Sequence, residues 1–557
     1  MMEKKPIGEL LKEFGYINDE QIAIALKVKE VVPNKLFGEI LKELSFVSSA
    51  EVSQALALQT KKEFINLLDV TPPKEVLKLV PKDIALQFEI LPIDIKDNKL
   101  VLAVADPFNL IAFDLIKRRT NLELQIYVAD RDMLLKNIQL YYFLLENPIE
   151  DEFKKLLNQI KAGQINIALP NLVDNIINAG IINKASDIHI VPENLATHVF
   201  YRIDGVLQHY FTLPSNIHQG VISRIKILAG LDIAEQRLPQ DGSFSHKFLD
   251  EYIDLRVSTV PTEFGENAVL RILSKNLSLF NLRNLGLEEW QVRIIERNLE
   301  KPQGIFLLTG PTGSGKTTTL YSSLRKINAL KRNIITVEDP IEYKFPFIKQ
   351  TEVNEKAGYT FSKALRAFLR QDPDVILLGE MRDEETAEMA IRAAITGHLV
   401  LSTIHTNSAV MTIPRLLDMK IKPYMIASAL NIIISQRLAR KVCNFCKERK
   451  EITKNDLITL GFNEDEVSRI IGNVERVIYY EGKGCEHCRN TGYSGRIVVA
   501  EILEIDRDLA EMIEKEDTIY DIQNKAIQKG MKTIREVGLL KVLKGITTPQ
   551  EIIRVTG

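Results

Sequence analysis

Long apolar runs are missing from this chain of 557 residues. The strongest runs, at 305–308 and 375–378, have the length of a β-strand, whereas a helix that crosses a bilayer needs about 18 or more apolar residues. The first thirty residues are charged and amphipathic, without the apolar core of a signal peptide. We therefore expect a soluble, cytoplasmic protein that reaches a membrane only through a partner.

Net charge and cysteine are also scarce. The formal net charge is −2 and the isoelectric point is about 6.5, so the totals give no sign of the strongly basic surface that nucleic-acid binding needs, and we expect no nucleic-acid partner. The four cysteines fall in two CxxC pairs, and nothing else in the chain indicates export. Metal ligands are therefore favoured over disulfides.

What the chain does contain is a phosphate-binding motif. A strand is predicted at 305–309, GPTGSGKT follows at 310–317, and a helical pattern continues to about residue 330. In this context the glycines let backbone N–H groups converge on phosphate, and the helix N-terminus adds the positive end of its dipole. Lys316 is expected to pair with the β- and γ-phosphates of ATP, and the Thr317 hydroxyl to ligate Mg²⁺. The predicted nucleotide-binding residues are Gly310, Pro311, Thr312, Gly313, Ser314, Gly315, Lys316, Thr317 and Thr318.

Carboxylates follow two of the next predicted strands. Residues 334–343 read as a strand that ends near Glu338 and Glu342. Glu380 comes just after the apolar strand at 375–378, where it is expected to reach Mg²⁺ or to polarise the attacking water. Carboxylates at the carboxyl ends of parallel strands lie where ligands bind in such sheets. We therefore predict that all three glutamates belong to a hydrolysis site.

A third predicted strand, within 397–406, has His398 and His405 at its two ends. A histidine beside a strand is more often structural, but the order of these segments resembles the Walker A, Asp box, Walker B and His box of the bacterial type II/type IV secretion ATPases. The resemblance extends to the segments ASDIHIVP at 185–192, YRIDGVL at 201–207, QRLPQDG at 236–242 and DLRVSTVPT at 254–262. It implies catalytic roles for both histidines.

The resemblance also implies a homohexamer in which arginines of one subunit reach ATP held by another. Arg237 and Arg256 are the candidates by their position in the motifs, and Arg271 is a weaker one. Two positions depart from the family pattern, because Ser243 stands where arginine is usual and Val191 where glutamate is usual. These departures concern the detail of the contacts between domains.

The two CxxC pairs, CNFC at 443–446 and CEHC at 485–488, can supply four thiolates to a tetrahedral zinc ion. Their separation is longer than in common zinc motifs, but the context CEHCRNTGYSGR resembles the tetracysteine segment of the secretion and pilus assembly ATPases. Four protein ligands leave no open position, so the expected role is structural, with free or redox-active thiols as the alternative. The predicted ligands are Cys443, Cys446, Cys485 and Cys488.

The N-terminal region contains an internal repeat, in which residues 7–29 align without gaps onto 37–59. Each copy is predicted to form two short helices. The repeat resembles the two-copy helical module that binds cyclic di-GMP in some pilus and secretion ATPases, but the arginine expected before Ile7 and Phe37 is absent in both copies. Arginine would supply bidentate contacts to phosphate or guanine. Docking of a membrane-platform partner is therefore favoured over cyclic di-GMP binding.

Together these features predict a multidomain α/β protein that ends in a RecA-like P-loop ATPase domain. The expected parts are a duplicated helical module of the MshEN type (1–60), a small α/β domain (61–145), a linker (146–165), a motor-associated α/β domain (166–284) and the ATPase domain (285–557), with a zinc-binding insertion at about 441–496.

The combination of repeat, small α/β domain and tetracysteine segment resembles the assembly motors of the superfamily, the PilB and GspE types, and not its retraction motors. The favoured function is ATP-driven assembly of type IV pili through an inner-membrane platform protein. The alternative is the ATPase of type II secretion. A nucleic-acid translocase and a scaffold that binds ATP without turnover are the candidates from other classes.

Overall fold

The computed structural model describes residues 6–67, 70–273 and 280–557, without the side chains of 165–167. The chain folds into two compact units, Met1–Lys275 and Asn276–Gly557. Within the described ranges, no helix is both long enough and apolar enough to span a membrane.

The first unit begins with four helices, α1 (Ile7–Glu13), α2 (Asp19–Val31), α3 (Phe37–Glu43) and α4 (Ser49–Gln59). Asn18 and Ser48 cap the second helix of each copy by accepting hydrogen bonds from backbone N–H groups in the first turn. Leu11 and Leu41, which occupy equivalent positions of the repeat, are both fully buried. The two copies therefore share one small core.

A four-stranded sheet follows. Its strand order is β1-β4-β3-β2, with β2 and β3 forming an antiparallel hairpin and the other pairs parallel. The elements are β1 (Glu63–Ile65), α5 (Lys74–Leu77), α6 (Lys82–Phe88), β2 (Ile90–Lys96), β3 (Lys99–Val104), α7 (Leu110–Thr120), β4 (Glu123–Ala129) and α8 (Arg131–Glu146).

The segment 146–165, assigned to a linker from its polar sequence, is instead mostly helix α9 (Ile149–Lys161). Phe153, Leu156 and Ile160 are buried in the core of the following domain, and the Phe153 ring stacks on Phe211 at 3.9 Å between centroids. Their spacing of three and four residues is that of one helix face. The polar residues form the opposite face, so this segment is an integral part of the domain.

The rest of the first unit is a six-stranded antiparallel sheet in the order β7-β6-β5-β10-β9-β8. Helix α9 and two further helices share an apolar core with it. The elements are α10 (Ile165–Ile182), β5 (Asp187–Pro192), β6 (Ala196–Ile203), β7 (Val206–Pro214), α11 (His218–Ala229), β8 (Gln240–Phe248), β9 (Glu251–Thr262) and β10 (Gly265–Leu273).

The second unit is built on a seven-stranded sheet in the order β13-β12-β14-β15-β11-β16-β19, in which β19 alone of the described strands runs antiparallel. Apolar clusters cover both faces, as expected for a parallel sheet. The strands are β11 (Gly304–Thr309), β12 (Ile334–Glu338), β13 (Lys349–Glu352), β14 (Val375–Leu378), β15 (Leu399–Ile404), β16 (Leu430–Val442) and β19 (Tyr493–Glu504).

Helices and one two-stranded antiparallel sheet complete this unit. Between β16 and β19 lies the cysteine-bearing insertion, with the antiparallel strands β17 (Lys447–Thr453) and β18 (Arg476–Gly482). The helices are α12 (Glu289–Leu299), α13 (Lys316–Lys326), α14 (Phe361–Phe368), α15 (Glu384–Ile395), α16 (Thr412–Asp418), α17 (Pro423–Ala429), α18 (Lys454–Thr459), α19 (Glu464–Ile471), α20 (Arg507–Glu514), α21 (Ile519–Gln528), α22 (Ile534–Leu543) and α23 (Pro549–Thr556).

Candidate active site

The candidate phosphate loop, residues 310–315, joins the fully buried strand β11 to helix α13. Gly310, Gly313 and Gly315 have φ angles of 142°, 77° and 86°, in the region that side chains disfavour. A Cβ at Gly310 would also lie 2.5 Å from the carbonyl oxygen of Gln436. The backbone path therefore requires glycine, as the motif predicts.

Lys316 is the first residue of α13, and its ammonium lies within this loop. It donates hydrogen bonds to the carbonyl oxygens of Gly310 at 2.8 Å and Pro311 at 3.1 Å. Burial lowers the pKa of Lys316, and the nearby charge of Glu380 opposes that shift. Lys316 thus supplies a positive charge where the N–H groups of the loop converge.

The other predicted loop residues divide into buried and exposed groups. The hydroxyl of the buried Ser314 has no hydrogen-bond partner among the described residues, and an unsatisfied donor inside the loop fits an anionic ligand. Pro311, Thr312 and Thr317 are exposed, and Thr318 is half-buried. The Thr317 hydroxyl is thus open to solvent at the start of α13, a position that fits a Mg²⁺ ligand.

Glu338, at the end of β12, is buried and hydrogen-bonded to three protein groups. It accepts hydrogen bonds from the Tyr321 hydroxyl, from Thr336 at 2.6 Å and from Gln350 at 3.1 Å. Burial and the neighbouring Glu338 charge raise the pKa of Tyr321. The Tyr321 hydroxyl in turn accepts from the backbone N–H of the exposed Glu342 at 3.2 Å. This geometry makes Glu338 a support for the segment that leads to Glu342, and its catalytic role stays a prediction.

Glu380 is placed differently, two residues beyond β14. Its side chain is 19% exposed and forms an ion pair with Arg382, and one oxygen lies 3.8 Å from Nε2 of His405. Burial lowers the pKa of His405, Lys316 and Arg382 lower it further, and Glu380 opposes them. A carboxylate, a lysine and a neutral histidine thus meet at the carboxyl edge of the sheet.

His398 does not join this group. It precedes β15, whereas His405 follows it, so the strand separates them by about 23 Å at about 3.3 Å per residue. The ring of His398 lies 2.9 Å from the carbonyl oxygen of Ala393, near the end of α15. The backbone carbonyl of His398 accepts a hydrogen bond from the N–H of Gly304 at 3.1 Å. Gly304 begins β11, so this contact lies at the edge of the sheet opposite the phosphate loop. Within one chain, His398 therefore lies at the end of β15 that is remote from the phosphate loop, and its catalytic role stays a prediction.

Two residues of β16 belong to the site although the sequence did not single them out. Gln436 donates to the carbonyl oxygen of Ser314 at 2.7 Å, and Arg437 donates to that of Asn407 at 2.8 Å. Burial lowers the pKa of Arg437. Sequence alone could not identify these two residues, because their role depends on the pairing of β16 with β11. Strand β11 lies more than a hundred residues earlier in the chain.

The two arginine candidates lie in the first unit. Arg237 is on the loop after α11, with its side chain 89% exposed and 3.3 Å from Glu235. The carbonyl of Glu235 accepts from the buried Lys226 at 2.7 Å, which holds this part of the loop. Arg256 is half-buried on β9 and lies opposite Arg271 on β10. Arg237 is thus a solvent-exposed cation on an anchored loop.

The four cysteines form one cluster, in which all sulfur atoms lie within 4.8 Å of one another. The Cys443–Cys485, Cys446–Cys488 and Cys485–Cys488 sulfur distances are 3.9, 3.7 and 3.7 Å. Four sulfurs about 2.3 Å from a tetrahedral zinc ion would lie about 3.8 Å apart. Burial alone would raise the pKa of Cys488. Hydrogen bonds from the backbone N–H groups of Cys485 and Gly492 instead bring this pKa down to about 7. The donor set and its spacing therefore fit zinc.

Two protein families match this chain. A family model described as "Type II/IV secretion system protein" matches residues 164–554, and one described as "MshEN domain" matches residues 61–145. The second match falls on the small α/β domain, not on the helical module at 1–60, to which that likeness was assigned from the sequence.

Curated relatives extend the match. The chain is 40% identical over 513 residues to "Type IV pilus assembly ATPase PilB" of Thermus thermophilus, covering 90% of this chain but only 57% of that protein's length. It is 37% identical to the protein of that name from Myxococcus xanthus, covering 88% of both chains. "Type II secretion system protein E" of Pseudomonas aeruginosa is 43% identical over 69% of this chain and 75% of that protein. By the extent of these matches, the chain belongs to the type II/IV secretion system protein family of ATPases.

Proposed function

We propose that this chain is an ATP-hydrolysing motor that powers assembly of type IV pili. The observation that carries the proposal is the similarity to the Myxococcus xanthus pilus assembly ATPase over 88% of both chains. The grouping of Lys316, Glu380 and His405 at one edge of the sheet supplies the chemistry. A phosphate loop that carries a lysine counter-charge, beside a carboxylate, suits phosphoryl transfer to water.

In this proposal, the N–H groups of 310–318 and the Lys316 ammonium bind the phosphates of ATP. Lys316 then exchanges its two carbonyl contacts for phosphate oxygens. Thr317 holds Mg²⁺, which neutralises charge on the phosphate oxygens when bound. Glu380 accepts a proton from, or orients, the attacking water, and the neutral His405 keeps that carboxylate in place. Arg437 adds positive charge on the other side of the loop.

The motor is proposed to be a homohexamer in which Arg237 and Arg256 act on ATP bound by a neighbouring subunit. The exposed guanidinium of Arg237 supports this role, because a cation supplied across an interface is unburied in one chain alone. Such an arginine neutralises charge that develops on the transferring phosphoryl group. Hydrolysis would then depend on ring geometry.

The cysteine cluster is proposed to hold one structural zinc ion, which closes the insertion between β16 and β19. The docking surface for an inner-membrane platform protein is proposed to lie on the helical module, residues 1–60. Cyclic di-GMP is the other candidate ligand of the N-terminal region, and the MshEN match at 61–145 favours testing it on residues 1–145 together.

A second candidate function is the ATPase of type II secretion, which the 43% identity to the Pseudomonas aeruginosa protein favours. Deletion of the gene in its own host distinguishes the two functions. Loss of surface pili, restored by the intact gene but not by Lys316→Ala, is expected from the proposal. Normal pili together with blocked protein secretion would establish the alternative, and a purified chain without ATPase activity would refute both.

A further inference from the structure

A buried carboxylate that the proposed chemistry does not use lies near the candidate site. Glu501, on β19, is 3% exposed. Its two oxygens accept hydrogen bonds from the backbone N–H groups of Ala409 at 2.6 Å and Ile534 at 3.0 Å. Burial raises the pKa of Glu501, while these donors and Arg437 favour its charged form. Burying a carboxylate costs free energy unless specific donors compensate its charge. The two backbone donors of Glu501 belong to different parts of the unit.

The first donor, Ala409, lies near the end of the loop that begins at His405 and joins β15 to α16. The start of this loop is bound to the strand that precedes the phosphate loop. There, the Thr309 hydroxyl lies 2.7 Å from that of Thr406 and accepts from the Thr406 N–H at 2.8 Å. Glu501 holds the other end. The segment that carries His405 is therefore fixed at both ends by buried polar groups.

The second donor, Ile534, is the first residue of α22, which Thr533 caps. The Thr533 hydroxyl donates to Glu466 at 2.7 Å, and Glu536 accepts from Arg469 at 2.6 Å. Glu466 and Arg469 lie on α19, within the cysteine-bearing insertion. The start of α22 is thus bound on one side to the insertion and on the other to Glu501.

We propose that Glu501 is a positioning residue for ATP hydrolysis: it fixes the 405–409 loop against the phosphate loop and connects that loop, through α22, to the cysteine-bearing insertion. The proposal rests on the proposed ATPase function. Only a side chain with two acceptor oxygens satisfies two N–H donors, since a glutamine would turn an NH₂ group toward one of them. Rearrangement of the insertion would then alter the geometry at His405 and Glu380.

The test is Glu501→Gln in the full chain, with kcat, KM for ATP and the unfolding temperature measured together. We expect kcat to fall about 10-fold and KM to change by less than about twofold, because misplacement of a catalytic segment slows turnover while the phosphate loop keeps its own contacts. Glu551→Gln is the matched control. Glu551 is also buried, but its partners are Arg440 and Arg554, so this variant should lose stability and keep its kcat.

An unchanged kcat in folded Glu501→Gln would overturn the proposal, and so would equal losses of kcat in the two variants at equal loss of stability. If Glu501→Gln does not fold, amide hydrogen exchange of the unmodified chain decides. The Ala409 amide should exchange as slowly as the Ile534 amide, and exchange at the rate of an open loop would refute the contact. Absence of ATPase activity in the unmodified chain would refute the proposed function, whereas the exchange measurement would still test the role of Glu501.

Discussion

Replacing Glu380 by glutamine is the sharpest test of the candidate active site. The side chain is mostly buried beside Arg382 and His405, so glutamine keeps the shape and loses only the charge and one acceptor. Loss of a general base or of a charge aimed at the transition state typically lowers turnover by about 10²-fold or more, which is about 2.7 kcal/mol in activation free energy. ATP binding should persist, because removal of a negative charge near Lys316 leaves its phosphate contacts intact.

Steady-state phosphate release and nucleotide affinity, measured on the same preparation, separate these effects. Glu338→Gln is the control, since Glu338 accepts three hydrogen bonds from protein groups. This variant should unfold at a lower temperature and lose much less turnover. Normal turnover in Glu380→Gln would refute the assignment, and a large loss in Glu338→Gln at unchanged stability would transfer the catalytic role to Glu338.

Three further predictions concern other parts of the chain. Mixing Arg237→Ala subunits with Lys316→Ala subunits should restore part of the ATPase activity that each lacks alone, and full activity of a verified monomer would refute action between subunits. Metal analysis of protein purified without chelator should find one zinc ion per chain; four freely titratable thiols in the folded chain would exclude it. The third prediction concerns Glu551, whose pKa burial alone would raise. Hydrogen bonds from Arg554 and Arg440 instead hold the pKa of Glu551 below its usual value of 4.5. The stability that this charge contributes is present above about pH 4.5 and is lost as the pH falls through the lowered pKa. In denaturation experiments, Glu551→Gln should therefore be less stable than the unmodified chain at pH 7, and the difference in stability should shrink in acid.

Local patterns predicted the parts of this protein whose signals are short-range. The glycine positions of the phosphate loop, the caps at Asn18 and Ser48, and the cysteine pairs each depend on neighbouring residues in the chain. The cysteine cluster and the family assignment followed from such motifs. The helix at 149–161 was missed because its polar content was noticed before its period of apolar residues, which alone identifies the buried face.

At the site, the sequence could not distinguish residues whose positions depend on strand order. His398 and His405 look equivalent in sequence, yet β15 places them at opposite edges of the sheet. Glu338 and Glu380 also look alike in sequence, but only the structure shows that Glu338 accepts a hydrogen bond from the Tyr321 hydroxyl. Gln436 and Arg437 carried no local signal at all, because their neighbour in space is a loop made far earlier in the chain.

The position of β11 between β15 and β16 also has a consequence during protein synthesis. Gln436, which holds the phosphate loop through Ser314, is translated 122 residues after it. At the usual elongation rates of about 5–20 residues per second, about 6–24 s pass between synthesis of the loop and synthesis of Gln436. During this interval the nascent chain has the whole phosphate-binding motif but lacks a neighbouring strand of its sheet. A phosphate loop that takes part of its support from Gln436 is therefore incomplete until β16 has been synthesised.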